Sequence, residues 1–208
     1  MKKLNLFNIL GGDVNSKPVG LLHTLYLSGT IEEPKEYIEW FDVIRNANNT
    51  DTIKIHINSS GGDLFTAIQF MRVMAESSAT IVVSVEGACM SAATMIFLAA
   101  EQFEVSDHSM FMFHNYSGMA MGKGGEMYDN IVHERKWSEN ILRGVYEDFL
   151  TENEIKSILD NKDIWMDGNE VIKRIKLKSE KFLKRATQKN ESKSKQPRKV
   201  EKQSKKST

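Results

Sequence analysis

Two β-branched runs, Ile53 to Ile57 and Thr80 to Val85, flank a strongly apolar segment, Leu64 to Met74, whose apolar residues recur at helical spacing. Alternating β-branched residues signal strands, and a helix between two strands is the connection that parallel pairing requires. The same alternation continues on both sides. Leu21 to Leu27 reads as an earlier strand closed by Ser28-Gly29-Thr30, and Pro34 opens a helical pattern through Ile38, Trp40, Phe41 and Ile44. Ala92 to Ala100 reads as the next helix, and Phe103 to Val105 with Met110 to Phe113 as two short strands. Strands that alternate with helices at this spacing argue for α/β layers with right-handed connections. A long helix is expected from about Gly125 to Phe149, with Met127, Ile131, Ile141, Leu142, Val145 and Phe149 as its stripe. Thr151 with Glu154 three residues on matches a capping box opening a short helix.

The 208 residues divide unevenly in charge. From Thr187 to Thr208 there are eight Lys or Arg against two Glu, so the formal net charge of zero hides an acidic body and a basic tail. The tail has no aromatics and scarcely any apolar residues, and disorder is expected there. It is read as a solubilising end, with contact to nucleic acid or an acidic protein surface as the sharper alternative. Residues 1–20 read as a non-secreted N-terminal arm, because Asn5 and Asn8 interrupt its apolar run. That leaves 21–180 as the folded domain. Cys89 is the single cysteine, which excludes an internal disulfide and a cysteine-based zinc cluster and fits a reducing, cytoplasmic setting. The apolar stretch from Ser91 to Ala100 is too short to span a bilayer. Neither His23, His56, His108 nor His133 has spacing that commits it to a metal, so no metal and no cofactor are expected.

The chemistry concentrates in Gly87-Ala88-Cys89-Met90-Ser91-Ala92-Ala93-Thr94, a run of small residues between a strand and a helix. Small side chains allow a tight elbow, and such an elbow can present one serine hydroxyl outward as a nucleophile. By itself Ser91 reads rather as a small residue chosen for close helix packing than as a nucleophile. His114 follows a later strand, Asp163 lies in a later loop, and Gly61-Gly62 follows the strand ending at Ile57. Catalytic groups gather at the carboxyl ends of strands in such sheets. Asp160 and Asp167 are rivals of Asp163 for the acidic role. The methionines at 71, 74, 90 and 95 are expected as core filler, and Cys89 as a buried thiol.

These residues, taken in order, resemble the Clp protease proteolytic-subunit family, a serine peptidase branch of the crotonase-like folds. The family's Asn-Ser-Pro-Gly-Gly motif reads here Asn58-Ser59-Ser60-Gly61-Gly62, and its Gly-x-Ala-Ala-Ser-Met-Gly-Ala motif is occupied by Gly87 to Thr94. Phe111-Met112-Phe113-His114 matches the strand that leads to the catalytic histidine, and Asp163-Ile164-Trp165 matches the family's Asp-x-Phe. The resemblance covers roughly Leu21 to Leu177. It implies a ClpP/crotonase-like α/β fold with layered β-sheets, crossover helices and a protruding long helix. It implies a Ser91–His114–Asp163 triad, with the amides of Gly62 and Ala92 as the oxyanion hole. The activity implied is endopeptidase cleavage of unfolded or flexible polypeptide segments within a homo-oligomeric ring, heptameric or stacked in two.

Several positions depart from the pattern. Ser60 replaces the proline, Ala92-Ala93 replace Met-Gly, and Asn115-Tyr116-Ser117-Gly118 follow the histidine in place of Gln-Pro and paired glycines. The segment before Tyr26 is unlike the family's axial loops, which leaves pairing with an ATP-driven unfoldase open. The divergent motifs and basic tail are similar to those of phage-encoded relatives that process head proteins. That reading places scaffold or capsid proteins among the partners, in host cytoplasm or assembling virion. Two other readings stand beside this one: a crotonase-like acyl-CoA enzyme, and a structural relative that has kept the fold without activity.

Overall fold

The computed structural model describes residues 19–180. The tail 187–208 and all but the last two residues of the arm 1–20 lie outside the described residues. The order is β1 (Leu22–Ile31), a 3-10 turn (Pro34–Tyr37) running into α1 (Ile38–Asn46), β2 (Thr52–Gly62), α2 (Leu64–Glu76), β3 (Thr80–Met90) and α3 (Ala92–Leu98). There follow β4 (Gln102–Val105), β5 (Met110–Phe113), α4 (Gly124–Tyr146), α5 (Glu152–Leu159) and β6 (Ile164–Asp167), then helical residues 168–180.

Among the described residues six strands form one sheet in the order β1-β2-β3-β5-β6, with β4 also paired to β3. β3 changes partner along its length: Val82 to Val85 pair with β4, and Ala88 to Met90 pair with β5. The first five strands run parallel, and only β6 returns antiparallel to β5. This is the α/β architecture with crossover helices that the alternating pattern requires.

Central strands covered on both faces should read as nearly continuous apolar runs. β3 does so over Ile81, Val82, Val83 and Val85, all buried. β2 instead alternates, with Ile53, Ile55 and Ile57 inside and Lys54 and His56 on the other face. α2 fills the layer above with Ala67, Phe70, Val73 and Met74. Its start is fixed by Asp63, whose carboxylate accepts from the Thr66 amide at 2.7 Å, a cap typically contributing about 1 kcal/mol. The Thr151–Glu154 capping box forms as the spacing predicts.

Three boundaries differ from the sequence expectation, and each matters for the site. β2 and β3 run on to Gly62 and Met90, past the expected ends at Ile57 and Val85, so the glycine pair and the small-residue run belong to the strands themselves. The β1–β2 register slips between Gly29 and Thr30, which pair with Ser59 and Gly61, so Ser60 is left over as a bulge. α4 ends at Tyr146, three residues before Phe149. Its amino-terminal part stands clear of the body, with Ile131 half exposed, and it packs down through Ser138, Leu142 and Tyr146. Among the described residues no helix is long and apolar enough to cross a membrane.

Candidate active site

Ser91 is the single residue between β3 and α3, and it turns the chain with φ 52° and ψ −127°. A side-chain-bearing residue occupies such a conformation only where its surroundings over-determine it. They do so here. The Ser91 amide donates to the Met112 carbonyl of β5 at 2.8 Å, while its carbonyl accepts from the Thr94 amide at 2.9 Å and the Thr94 hydroxyl at 2.6 Å. Upstream, the Asn58 side-chain carbonyl accepts from the Ala88 amide at 3.0 Å and fills the space where Gly87 has no side chain. Two of the matched motifs are therefore bonded to one another across β2 and β3.

The clamp between Ser91 and Met112 sets the distance to His114, which follows β5 directly. His114 Nε2 lies 2.6 Å from Ser91 Oγ. The other ring nitrogen, Nδ1, is 4.0 Å from an Asp163 carboxylate oxygen, and that side chain is 51% exposed. Asp163 sits immediately before β6, whose Ile164 pairs with Phe113. A bond from Asn115 Nδ2 to the Asn161 side-chain oxygen, 3.1 Å, ties the two loops together beyond the imidazole.

Of the rival carboxylates, Asp160 caps the end of α5, and Asp167 accepts from the Glu170 amide at 2.8 Å, starting the helical residues 168–180. Asp167 is thus occupied by a cap. Gly62 and Ala92 line the same cleft as Ser91 and His114.

The cleft has a volume of about 550 Å³. Its apolar wall includes Phe65 of α2 stacked on Trp137 of α4, with ring centroids 5.4 Å apart, and Met95, Ile141 and Leu142 below. Tyr116, from the segment that departs from the family pattern, and Met119 just beyond it also line the cleft. His133 also faces this cleft from α4. His23 and His56 lie on β1 and β2, outside the cleft: His56 Nδ1 meets the Glu86 carboxylate, and His23 Nε2 stands 3.8 Å from Asp51. Among the described residues no group of three or more His, Cys, Asp or Glu is placed to hold a metal ion. Cys89 is fully buried two residues before Ser91, and burial pushes its thiol well up from the usual range, so it stays protonated.

Sequence reading passed over the aromatic pair Phe65–Trp137 and the hydroxyls of Thr94 and Tyr146, which are 2.7 Å apart in the core. Thr94 was open to discovery: a threonine three residues after a turn residue can bond back to its carbonyl. Tyr146 lies 52 residues further along, and no local signal joins the two.

A mostly parallel sheet with a strained serine elbow, an imidazole on its hydroxyl and an apolar cleft beside them is the architecture of a serine-peptidase-like α/β protein. The sequence model of the Clp protease family matches residues 27–196, and the chain belongs to that family. In solved structures, a mutant of ClpP1 from Listeria monocytogenes matches with a TM-score of 0.61 and 23% identity, covering 73% of this chain and 86% of that one. That likeness speaks for the ClpP fold. No curated protein matches the chain.

Proposed function

We propose that the chain is a serine endopeptidase whose residues 21–180 form the catalytic unit, with Ser91 as nucleophile, His114 as general base and Asp163 as the acid that orients the imidazole. The single observation that carries the proposal is the 2.6 Å contact between Ser91 Oγ and His114 Nε2 on a strained elbow facing an apolar cleft. Ser91 Oγ attacks the peptide carbonyl while Nε2 takes its proton, and the same proton passes to the leaving amine. Water then hydrolyses the acyl-enzyme with His114 again as base. The amides of Gly62 and Ala92 receive the oxyanion, and one such donor typically contributes about 3 kcal/mol. The Asp163 carboxylate, 4.0 Å from Nδ1, lies on the side of the ring away from Ser91, where a hydrogen bond formed once substrate is bound would fix the imidazole's orientation.

Membership of the Clp protease family supports a homo-oligomeric ring, which would enclose the clefts and admit only unfolded or flexible chains. The protruding part of α4, with exposed Tyr128, Ile131 and Val132, supplies apolar surface for contact between copies. The family assignment favours peptide hydrolysis over acyl-CoA chemistry, and the Ser91–His114 contact favours activity over a purely structural role. The test is hydrolysis of a fluorogenic peptide and of an unfolded protein by the wild type, Ser91→Ala and His114→Ala. Turnover by the wild type and its loss in both variants is expected. Equal turnover in all three overturns the proposal.

A further inference from the structure

The Ser91 carbonyl oxygen carries two hydrogen bonds, both from Thr94, and behind Thr94 stands Tyr146. A carbonyl oxygen only accepts, so the Thr94 hydroxyl hydrogen points at Ser91, and the Tyr146 hydroxyl donates into Thr94 Oγ1. Both side chains are essentially fully buried. Burial also pushes the Tyr146 phenol up from its ordinary value, which keeps the donor protonated at neutral pH.

The peptide between Ser91 and Ala92 is planar and trans, so its C=O and N–H point in opposite directions. Fixing the carbonyl inward fixes the Ala92 N–H outward, on the side of the residue that lines the cleft. Hydrogen bonds received by the carbonyl also polarise the amide and make its N–H a better donor. The Ser91 amide is held separately, by Met112. The strained elbow is therefore pinned at both peptides, and the second pin is a hydroxyl relay that reaches into α4.

We propose that Thr94 and Tyr146 are positioning residues for the oxyanion hole: their relay orients the Ser91–Ala92 peptide so that the Ala92 N–H meets the charge that develops at the attacked carbonyl. The inference rests on the reading of Ser91 as nucleophile and Ala92 as oxyanion donor. It deepens that reading by linking the elbow to the last residue of the helix that walls the cleft. An oxyanion contact exists only in the transition state and the tetrahedral intermediate, so its loss lowers kcat and leaves KM in place.

Three substitutions separate this role from packing. Thr94→Val removes the hydroxyl at nearly constant shape, and Thr94→Ser keeps it. Tyr146→Phe removes only the oxygen and leaves the ring against Phe113, where the centroids are 5.5 Å apart. The measurements are kcat and KM on a fluorogenic peptide, and the inhibition constant of a peptide boronate, which forms a tetrahedral adduct on serine. Removing an oxyanion donor outright costs about 10²–10³-fold in kcat. Misorienting one in Thr94→Val should cost about 30-fold, and Tyr146→Phe about 5-fold, with KM within about twofold. Boronate binding should weaken in parallel, and Thr94→Ser should stay within about threefold of wild type.

If Thr94→Val does not fold, Tyr146→Phe and Thr94→Ser carry the test. Unchanged kcat in folded Thr94→Val and Tyr146→Phe, or a loss confined to KM or to thermal stability, overturns the inference and leaves the peptidase reading standing. A wild-type protein that hydrolyses no peptide and takes no fluorophosphonate overturns both.

Discussion

Gly61 and Ser91 approach so closely that no side chain fits between them: a Cβ built on Gly61 falls 2.7 Å from Ser91 Cβ and 2.7 Å from the Met90 carbonyl oxygen. Gly61 also holds φ +95°, where side chains are strained whatever the space. Gly61→Ala should therefore push the elbow away from His114. Labelling of Ser91 by a fluorophosphonate should slow by about tenfold or more, since a displacement near 1 Å at a reacting group costs on the order of 10²-fold. Gly29→Ala is the control: Gly29 has φ +81° with open space around it, so stability alone should fall, by about 1 kcal/mol. Equal labelling rates in wild type and Gly61→Ala contradict the geometry.

The acidic partner of His114 is decided by a comparison of three variants. Asp163→Asn should lower kcat by on the order of 10²-fold, less than the ~10⁴-fold of a fully buried triad aspartate, because Asp163 is half exposed and 4.0 Å from the ring. Asp160→Asn should leave kcat near wild type. Asp167→Ala removes the cap on the Glu170 amide and should cost about 1 kcal/mol in unfolding experiments with kcat intact. A kcat collapse in Asp167→Ala with Asp163→Asn active would reassign the role.

Acid sensitivity should trace in part to Glu154. Its carboxylate receives the two terminal Arg174 guanidinium nitrogens, at 2.8 and 2.9 Å, together with the Thr151 amide and hydroxyl, and these donors lower its pKa to about 2. A depressed native value means stabilisation that is complete above the unfolded-state value, near 4.3, and is lost as pH falls towards 2. Glu154→Gln should thus cost on the order of 2 kcal/mol at pH 7, and the gap from wild type should close between about pH 4.5 and 2. Denaturant titrations across that range measure it. A gap that is independent of pH removes the ion pair as its source.

Assembly is tested by light scattering at micromolar concentration. The mass should be a multiple of the subunit, seven or fourteen copies. Ile131→Asp combined with Val132→Asp, on the exposed part of α4, should yield smaller species. A stable wild-type monomer with full peptidase activity is the contrary result.

Much of this was legible in the chain because period and composition carry it. The β-branched runs of β2 and β3 sit where they read, and the capping box at Thr151 needed only its own four residues. The elbow at Ser91 was legible because small residues crowd a strand-to-helix junction, while a catalytic role for it came only with the resemblance. The strand ends were not: the strands read as ending at Ile57 and Val85, yet sheet pairing carries them on through Gly61-Gly62 and Ala88 to Met90. β6 has no sequence signal of its own, since four residues closing antiparallel on β5 depend on partners as far apart as Met110 and Asp167. The Thr94–Tyr146 contact and the Phe65–Trp137 stack are likewise tertiary, and each side chain alone reads as core or surface. The same separation hides Asn115–Asn161, whose bond exists only once β5 and β6 pair.

The central claim is that Ser91 is the nucleophile, and the most direct measurement is mass-spectrometric mapping of a fluorophosphonate adduct on the intact protein. Expected is a single adduct on Ser91, absent in Ser91→Ala and strongly slowed in His114→Ala, because the imidazole 2.6 Å away activates the hydroxyl. An unlabelled wild type, an adduct on another serine, or undiminished labelling of Ser91→Ala contradicts it.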